Sequence, residues 1–567
     1  MLIQNILSHG LGNMEKFVLI VSASEVAGSH GFETSSETQD SETSSTHSNS
    51  ESDSTTDSSL NSMDKVIQSE LPTLEPHNSL VTSIVNSFIE NATSTKLEHQ
   101  AESLTADLNE SLVTNSKITM LPNFNIEPTG KEHGNFLCID LGGSTLRVAV
   151  VKIDPETTSK DNKSDQNSSD RSSRISVIIE ENWSIDNSFK IIDLDFFRFI
   201  ATKIQYTLAS QTLLDPSTLI NTGITWSFPL ETTSHNNGRI VHVSKGYTIS
   251  PEIFGKDLKS ILEGVLKTEF GISIDIKIII NDSLAVYSAG AFLDKFMKLA
   301  LVLGTGLNMC CSLNASDKIH DDKIFVNSLH SSPKILFNTE LSLFGDKLLP
   351  LVATKYDNII DSRFLDFGFH FKCFMSADPI TNKLLQPTEL MTSGRYLPEL
   401  TRLVLCDLIA SNNIFSQVQD LSTIRDHPFD GFNGEIMCFV NESDDLDAIS
   451  KKICAQYNWD QSMITENDIV LLKYITDAII KRGAFIVAVS IVSFIKLLTE
   501  HNNDNHDSKL TIGYVGSVLT YFNNYRNLVK EFINENEYVK KLGLEVDFKL
   551  VDNSSIIGAA IGAAYYS

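Results

Sequence analysis

Three short stretches carry residue types able to handle a phosphate and an alcohol. The first is "IDLGGST" (residues 139–145), followed by Arg147. A strand that ends in Asp-x-Gly-Gly lets backbone N–H groups approach an anion, because glycine has no Cβ in the way. Ser144 and Thr145 add hydroxyl donors to Gly142 and Gly143, and Arg147 adds charge-assisted hydrogen bonds to phosphate. Asp140 could orient Mg²⁺ through water, since that ion usually keeps several waters. The same Gly-Gly also suits a plain hairpin turn. It is neither a Walker A loop nor a dinucleotide-binding GxGxxG.

The second stretch, "LVLGTGLN" (301–308), puts Gly304, Thr305 and Gly306 after another apolar run, where a second phosphate could sit. The third is "IIINDSLAV". Here Asp282 follows three isoleucines at the C-terminal end of a strand, where α/β folds place ligands. A carboxylate there can act as general base on an alcohol. Asp or Asn at that point also suits a helix N-cap. Lys245, beside Ser244, would pass for a surface residue if taken alone.

The elements that must position these residues are read from periodicity. Apolar residues at helical spacing predict a helix in "HNSLVTSIVNSFIENA", and ordered structure begins near residue 77. Strands are predicted in "NFLCIDLGG", "LRVAVVKI", "TGITWSFPL", "IKIIIND" and "KLALVLGTG". Helices are predicted over 195–208, 255–270 and 395–409. The alternation argues an α/β architecture. A strand followed by a Gly-rich turn occurs at 136–143 and again at 299–306, which suggests two related lobes facing one cleft. Residues 34–60 hold little but Ser, Thr, Asp and Glu, so a solvated or phosphorylatable head over 1–78 is expected. A similar run at 154–174 reads as an enlarged hairpin loop between two strands.

Composition narrows the partners. The chain of 567 residues has 72 acids against 45 bases, a net charge of -27, so no nucleic acid partner is expected. Its seven cysteines form no CxxC pair and suit a reducing, cytoplasmic compartment. No membrane span is expected. The best apolar run, 484–495 between Arg482 and Lys496, is shorter than the ~18–20 residues a span needs and reads as a buried core helix. The apolar "FVLIVSA" near residue 17 makes a poor signal peptide.

In order, these motifs resemble the hexokinase family over about residues 79–567. "MLPNFNIEPTGKEHGNFLCIDLGGSTLRVAVVKI" is similar to the family's opening, and "SFPLETTSHNNGRIVHVSKGY" to its sugar loop. "INDS", "LGTGLN", "NTE" and "TELMTSGRYLPEL" follow in family order, then "GYVGSV" and "SSIIGAAIGAA" at the adenosine-site positions.

The resemblance implies a two-lobed actin-like ATPase (ribonuclease H-like) α/β fold, divided at 295/296, with a cleft between the lobes. It implies ATP and Mg²⁺, a hexose or amino-hexose acceptor, and a monomer or homodimer. Asp282 would take the proton from the sugar 6-hydroxyl as it attacks the γ-phosphate. Asn281, Ser227, Ser244, Lys245, Asn308, Glu340 and Glu389 would hydrogen-bond the sugar, each able to serve several hydroxyls. Arg147 and Lys245 would offset charge on the transferring phosphoryl group. Gly142, Gly143, Gly304 and Thr305 would hold phosphates, and Gly516, Ser517 and Ser555 would lie near adenosine.

The chain departs from the family pattern at Ser144-Thr145, Leu341-Ser342, Val515, Ser554, Ile556 and Ala285. An isoleucine at 556, where the family has glycine, is expected to crowd adenosine. The departures resemble a divergent fungal branch that includes N-acetylglucosamine kinases. Three readings follow: a sugar kinase with altered acceptor choice, a glycolytic glucose/fructose hexokinase, or a catalytically weak sugar-binding regulator.

Overall fold

The computed structural model describes residues 79–123, 127–156, 171–186, 190–210, 218–228, 230–241, 247–325, 334–365, 372–378, 383–502 and 508–567. The head over 1–78, residues 157–170 of the expected loop, and both Ser244 and Lys245 lie outside the described residues.

Two helices come first, α1 (Ser79–Ile89) and α2 (Ser94–Val113). α1 buries Val81, Ile84, Val85 and Phe88, the one-faced spacing its sequence predicts. β1 (Leu121–Asn123) follows, then β2 (Gly134–Leu141), β3 (Thr145–Ile153) and β4 (Ile175–Ser184). Next come α3 (Leu194–Ala209), β5 (Ile220–Trp226), α4 (Leu258–Phe270), β6 (Ile274–Ile280) and α5 (Asp282–Leu293). The later half holds β7 (Met297–Leu303), β8 (Leu307–Asn314), β9 (Lys334–Asn338), α6 (Pro387–Thr392), α7 (Leu397–Ala410) and α8 (Glu466–His501). It ends with β10 (Lys509–Val515), α9 (Ser517–Tyr521), α10 (Asn523–Glu535), β11 (Glu545–Leu550) and α11 (Ser554–Tyr565).

The strands form two main sheets of one plan. In the first the order is β6-β5-β2-β3-β4, and in the second β1-β9-β8-β7-β10-β11. In each, three strands run as an antiparallel meander, β2-β3-β4 or β7-β8-β9. Two parallel strands then extend the sheet outward from the first strand of that meander, β5 then β6 or β10 then β11. Parallel neighbours need crossovers, and α4 and α10 lie within two of them. Because the plan repeats, the turns at 142–144 and 304–306 are equivalent: each joins the first two strands of its meander. β3 and β4 are antiparallel neighbours, so the 154–174 segment does connect a hairpin.

The chain crosses between the sheets at both ends. α1 and α2 pack on α8, whereas α11 packs on β2, β5 and α5. The small residues of α11 explain its close seat. A Cβ at Gly223 would lie 2.1 Å from the Ala559 carbonyl oxygen, and one at Gly558 would lie 2.4 Å from that of Ala285. Backbone meets backbone on both faces of the helix. Ile556 is fully buried there, in the apolar cluster with Ile278 and Leu284. The expectation that it crowds adenosine is therefore corrected: this side chain fills the core.

A second correction concerns α8. The run at 484–495 sits within a 36-residue helix, which by length and composition could cross a membrane. Its most apolar 18-residue window is 94% buried inside the protein, among α1, α2, α6, α7 and α10. It is a core helix, as expected, but burial is the reason and length is not.

Candidate active site

The first turn is tight. Gly142 N–H donates to the Thr145 carbonyl at 2.9 Å, and the Ser144 carbonyl accepts from Ile185 N–H at 2.8 Å. Neither Gly142 nor Gly143 has a positive φ, so the glycines are not required by conformation. Asp140 and Arg147 face each other across the β2-β3 ladder. Arg147 Nε and Nη2 both donate to Asp140 Oδ2, at 2.9 and 2.7 Å. Nη2 also donates to Ser555 Oγ at 2.8 Å and Nη1 to Asn553 Oδ1 at 3.3 Å, while Glu180 lies 3.6 Å away. Arg147 is thus engaged in the wall, tying the start of α11 to the first turn. Ser555 joins this group, and its carbonyl accepts from Thr225 Oγ1 at 2.7 Å.

The second turn is held by glycines from three segments. Gly304 N–H donates to the Gly306 carbonyl at 3.0 Å, and the Gly304 carbonyl accepts from Gly394 N–H at 2.7 Å. Gly516 has φ +108°, and a Cβ on it would lie 2.4 Å from the Leu303 carbonyl group. Only glycine tolerates both the conformation and the approach. A Cβ at Gly304 would stand 3.4 Å from Gly516 Cα and Ser517 N, so Gly304, Gly516 and Ser517 come together. Thr305 is exposed at the tip.

A polar centre gathers where β6, β8, β9 and α6 meet, beside the second turn. Asn281 is the N-cap of α5, its Oδ1 accepting from Leu284 N–H at 2.9 Å. That settles the N-cap alternative: Asn281 caps, and Asp282, the first helical residue, stays exposed, with Oδ1 accepting from Ser283 N–H at 2.8 Å. Asn308 Nδ2 donates to Asn338 Oδ1 at 2.8 Å, and Asn338 Nδ2 donates to Glu340 Oε1 at 2.8 Å. Ser283 Oγ lies within 3.4 Å of both Asn281 Oδ1 and Asn338 Oδ1. Glu389, in the first turn of α6, accepts at Oε2 from Leu307 N–H at 2.9 Å. Ser227, just past β5, donates its N–H to the Leu141 carbonyl at 3.1 Å, beside the first turn.

Sequence reading missed Asn338 and Ser283. Asn338 links Asn308, Ser283 and Glu340; it ends β9, and Glu340 beyond it leaves extended geometry, so strand alternation gives no clue to the pair. Glu340 sits at φ +52°, left-handed for a side-chain-bearing residue. Such strain persists where the surroundings over-determine it, and it clusters at functional sites.

Electrostatics sets the neighbouring carboxylates against one another. Burial pushes Glu340 above its ordinary pKa; the Asn338 hydrogen bond opposes this, and the Asp282 and Glu389 charges add to it. Glu389 is also raised, by burial, against the Leu307 N–H and Arg395. A raised folded-state pKa means that ionising these groups costs stability, a cost absent at low pH and imposed as pH rises through the folded pKa values. Conversely, acidification protonates them at a higher pH than ordinary glutamates. A ligand that donates hydrogen bonds to them should therefore bind more weakly as pH falls, beginning above the usual carboxylate range near 4.5. A titration of sugar affinity against pH checks this, and Glu340→Gln should flatten the response.

No group of three or more His, Cys, Asp or Glu able to hold a metal occurs among the described residues. Asp140 is 8% exposed, and its Oδ1 has no hydrogen-bond partner among the described residues. One acceptor beside a phosphate-sized turn fits an ion held through water and phosphate oxygens, the mode Mg²⁺ prefers, and does not fit an all-protein cage.

Known proteins resemble this chain along most of its described residues. Residues 81–292 and 298–565 match the two sequence profiles described as hexokinase. N-acetylglucosamine kinase 1 of Candida albicans is 52% identical over 489 residues, covering 86% of this chain and 94% of that protein. Hexokinase-1 of Saccharomyces cerevisiae is 30% identical over 322 residues, 56% of this chain and 59% of that one. The hexokinase of Schistosoma mansoni, solved with glucose, superposes with a TM-score of 0.63 at 19% identity, over 86% of this chain and 99% of that one. The repeated sheet plan, the paired Gly-rich turns and these matches along nearly all of the described residues lead to one conclusion: this chain belongs to the hexokinase family.

Proposed function

We propose that this protein transfers the γ-phosphoryl group of ATP to the 6-hydroxyl of N-acetylglucosamine. The observation that carries the reading is the meeting of Asp282, Glu340 and Glu389 with the amides of Asn281, Asn308 and Asn338, beside the second Gly-rich turn. A polyol needs several acceptors and donors at close quarters, and this cluster supplies both. The choice of acceptor rests on the 52% identity to a protein named for N-acetylglucosamine.

In this reading Asp282 accepts the O6 proton while O6 forms a bond to the γ-phosphorus. The bond from that phosphorus to the β,γ-bridging oxygen breaks, and ADP leaves. Glu340 and Glu389 orient the sugar, so that O6 meets both the base and the phosphate. The turns at 142–144 and 304–306 bring backbone N–H groups to the phosphates. Mg²⁺, when bound, offsets phosphate charge, and Asp140 would hold it through water. Lys245 completes the charge balance on sequence grounds. Little covalent work falls to such a protein; positioning and electrostatics carry the rate. A cytoplasmic location is part of the proposal, supported by seven cysteines that form no disulfide.

Purified protein should be offered Mg-ATP with N-acetylglucosamine, glucose, mannose or fructose, and ADP release followed. N-acetylglucosamine should give the highest kcat/KM. Faster turnover of glucose or fructose would replace this acceptor with the glycolytic one. Sugar binding without any turnover would favour a regulator.

A further inference from the structure

Glu389 makes a contact that sugar binding alone does not call for. Its Oε2 accepts from Leu307 N–H at 2.9 Å, one residue past the second Gly-rich turn. A Cβ on Gly306 would come within 2.7 Å of that same oxygen, so the turn leans directly on the carboxylate. Five residues along the chain, Gly394 N–H grips the Gly304 carbonyl at 2.7 Å. The turn is thus held from one side by the 389–394 segment. On its other side, Gly304 stands against Gly516 and Ser517, with 3.4 Å from a Cβ on it to Gly516 Cα.

We infer that Glu389 is also a positioning residue for the nucleotide, setting the 304–307 turn through the Leu307 N–H even when no sugar is bound. The inference rests on the kinase reading, in which that turn holds phosphate. It follows from connectivity: one carboxylate oxygen fixes the turn, and the other is left for the acceptor. Acceptor and donor sites then share a rigid joint. Replacing the acceptor oxygen frees the turn, whereas replacing only the charge does not. The second distinction matters because Arg395 lies close enough to lower the Glu389 pKa, so a pure charge effect must be separated from the hydrogen bond.

The test measures binding of the imido analogue of ATP, with Mg²⁺ and without sugar, by calorimetry on the full chain. Glu389→Ala should weaken that binding on the order of tenfold, as expected for loss of a hydrogen bond to a charged group. Glu389→Gln, whose amide oxygen can still accept from Leu307, should stay within about threefold of wild type, a much smaller loss than that of the hydrogen bond itself. Its sugar affinity should nevertheless fall. Gly306→Ala, which displaces the carboxylate without removing it, should behave like Glu389→Ala and serves as the second variant if that one fails to fold. Wild-type nucleotide affinity in Glu389→Ala, or equal losses in the Ala and Gln variants, would overturn the inference. A wild-type chain that binds no nucleotide would instead overturn the kinase reading, and this inference with it.

Discussion

Asp282→Asn should lower kcat by roughly 10²–10⁴-fold while leaving sugar affinity close to wild type. The asparagine keeps the shape and one acceptor oxygen but cannot take up the hydroxyl proton. The local fold should not change, because Asn281, and not Asp282, caps α5. The carboxylate is exposed at the end of β6, where an acceptor can reach it. A small secondary gain is expected: removing the Asp282 charge lowers the penalty on ionised Glu340. Steady-state kinetics with saturating Mg-ATP, and calorimetry of the sugar alone, read the two halves of this expectation separately. A variant with undiminished kcat would remove Asp282 from the base role.

Arg482→Met should produce the largest loss of stability. Arg482, on α8, is fully buried, and its Nη1 and Nη2 donate to Asp357 Oδ2 and Oδ1 at 2.6 and 2.9 Å. Nη1 also reaches the Val352 carbonyl at 3.1 Å, and the guanidinium lies 4.7 Å from the centre of the Phe88 ring. Asp357 in turn closes a capping box with Thr354. The pair therefore joins α1, α8 and the short helix Lys355–Ile360. Methionine fills similar volume but leaves Asp357, 1% exposed, as a buried charge with no cation. Breaking such a pair from one side costs about 3–5 kcal/mol. Urea unfolding should show that loss, and Asp357→Asn in the same chain should recover part of it. A change below about 1 kcal/mol would place the pair among exposed ion pairs in energetic weight. The effect should reach the active site, because α8 packs against α6, which carries Glu389.

Much of the architecture was legible because the positioning elements are strongly periodic. The isoleucines of β6, the apolar runs of β2 and β7, and the one-faced pattern of α1 each point to a single element type. The Gly-rich turns were legible as a pair, since each follows the first strand of a meander. Less could be read where one residue type serves two purposes. The glycines and alanines of α11 look like room for a nucleotide. Gly558 and Ala559 instead let the helix touch α5 and β5 backbone to backbone, and Ile556 fills the core beside them. Arg147 reads as a phosphate ligand, yet register places it opposite Asp140, and α11 supplies Ser555 and Asn553 from more than 400 residues away. Asn338 could not be singled out, because its importance lies in contacts with β8, α5 and the segment just past β9. The left-handed backbone at Glu340 has no compositional mark at all.

The most direct measurement is the product formed from Mg-ATP and N-acetylglucosamine by the full chain, followed by phosphorus NMR. A single new sugar phosphomonoester at the 6-position is expected, with ADP in equal amount, both forming roughly 10²–10⁴-fold more slowly in the Asp282→Asn chain. Phosphate on another hydroxyl, or ADP released without any sugar phosphate, would contradict it.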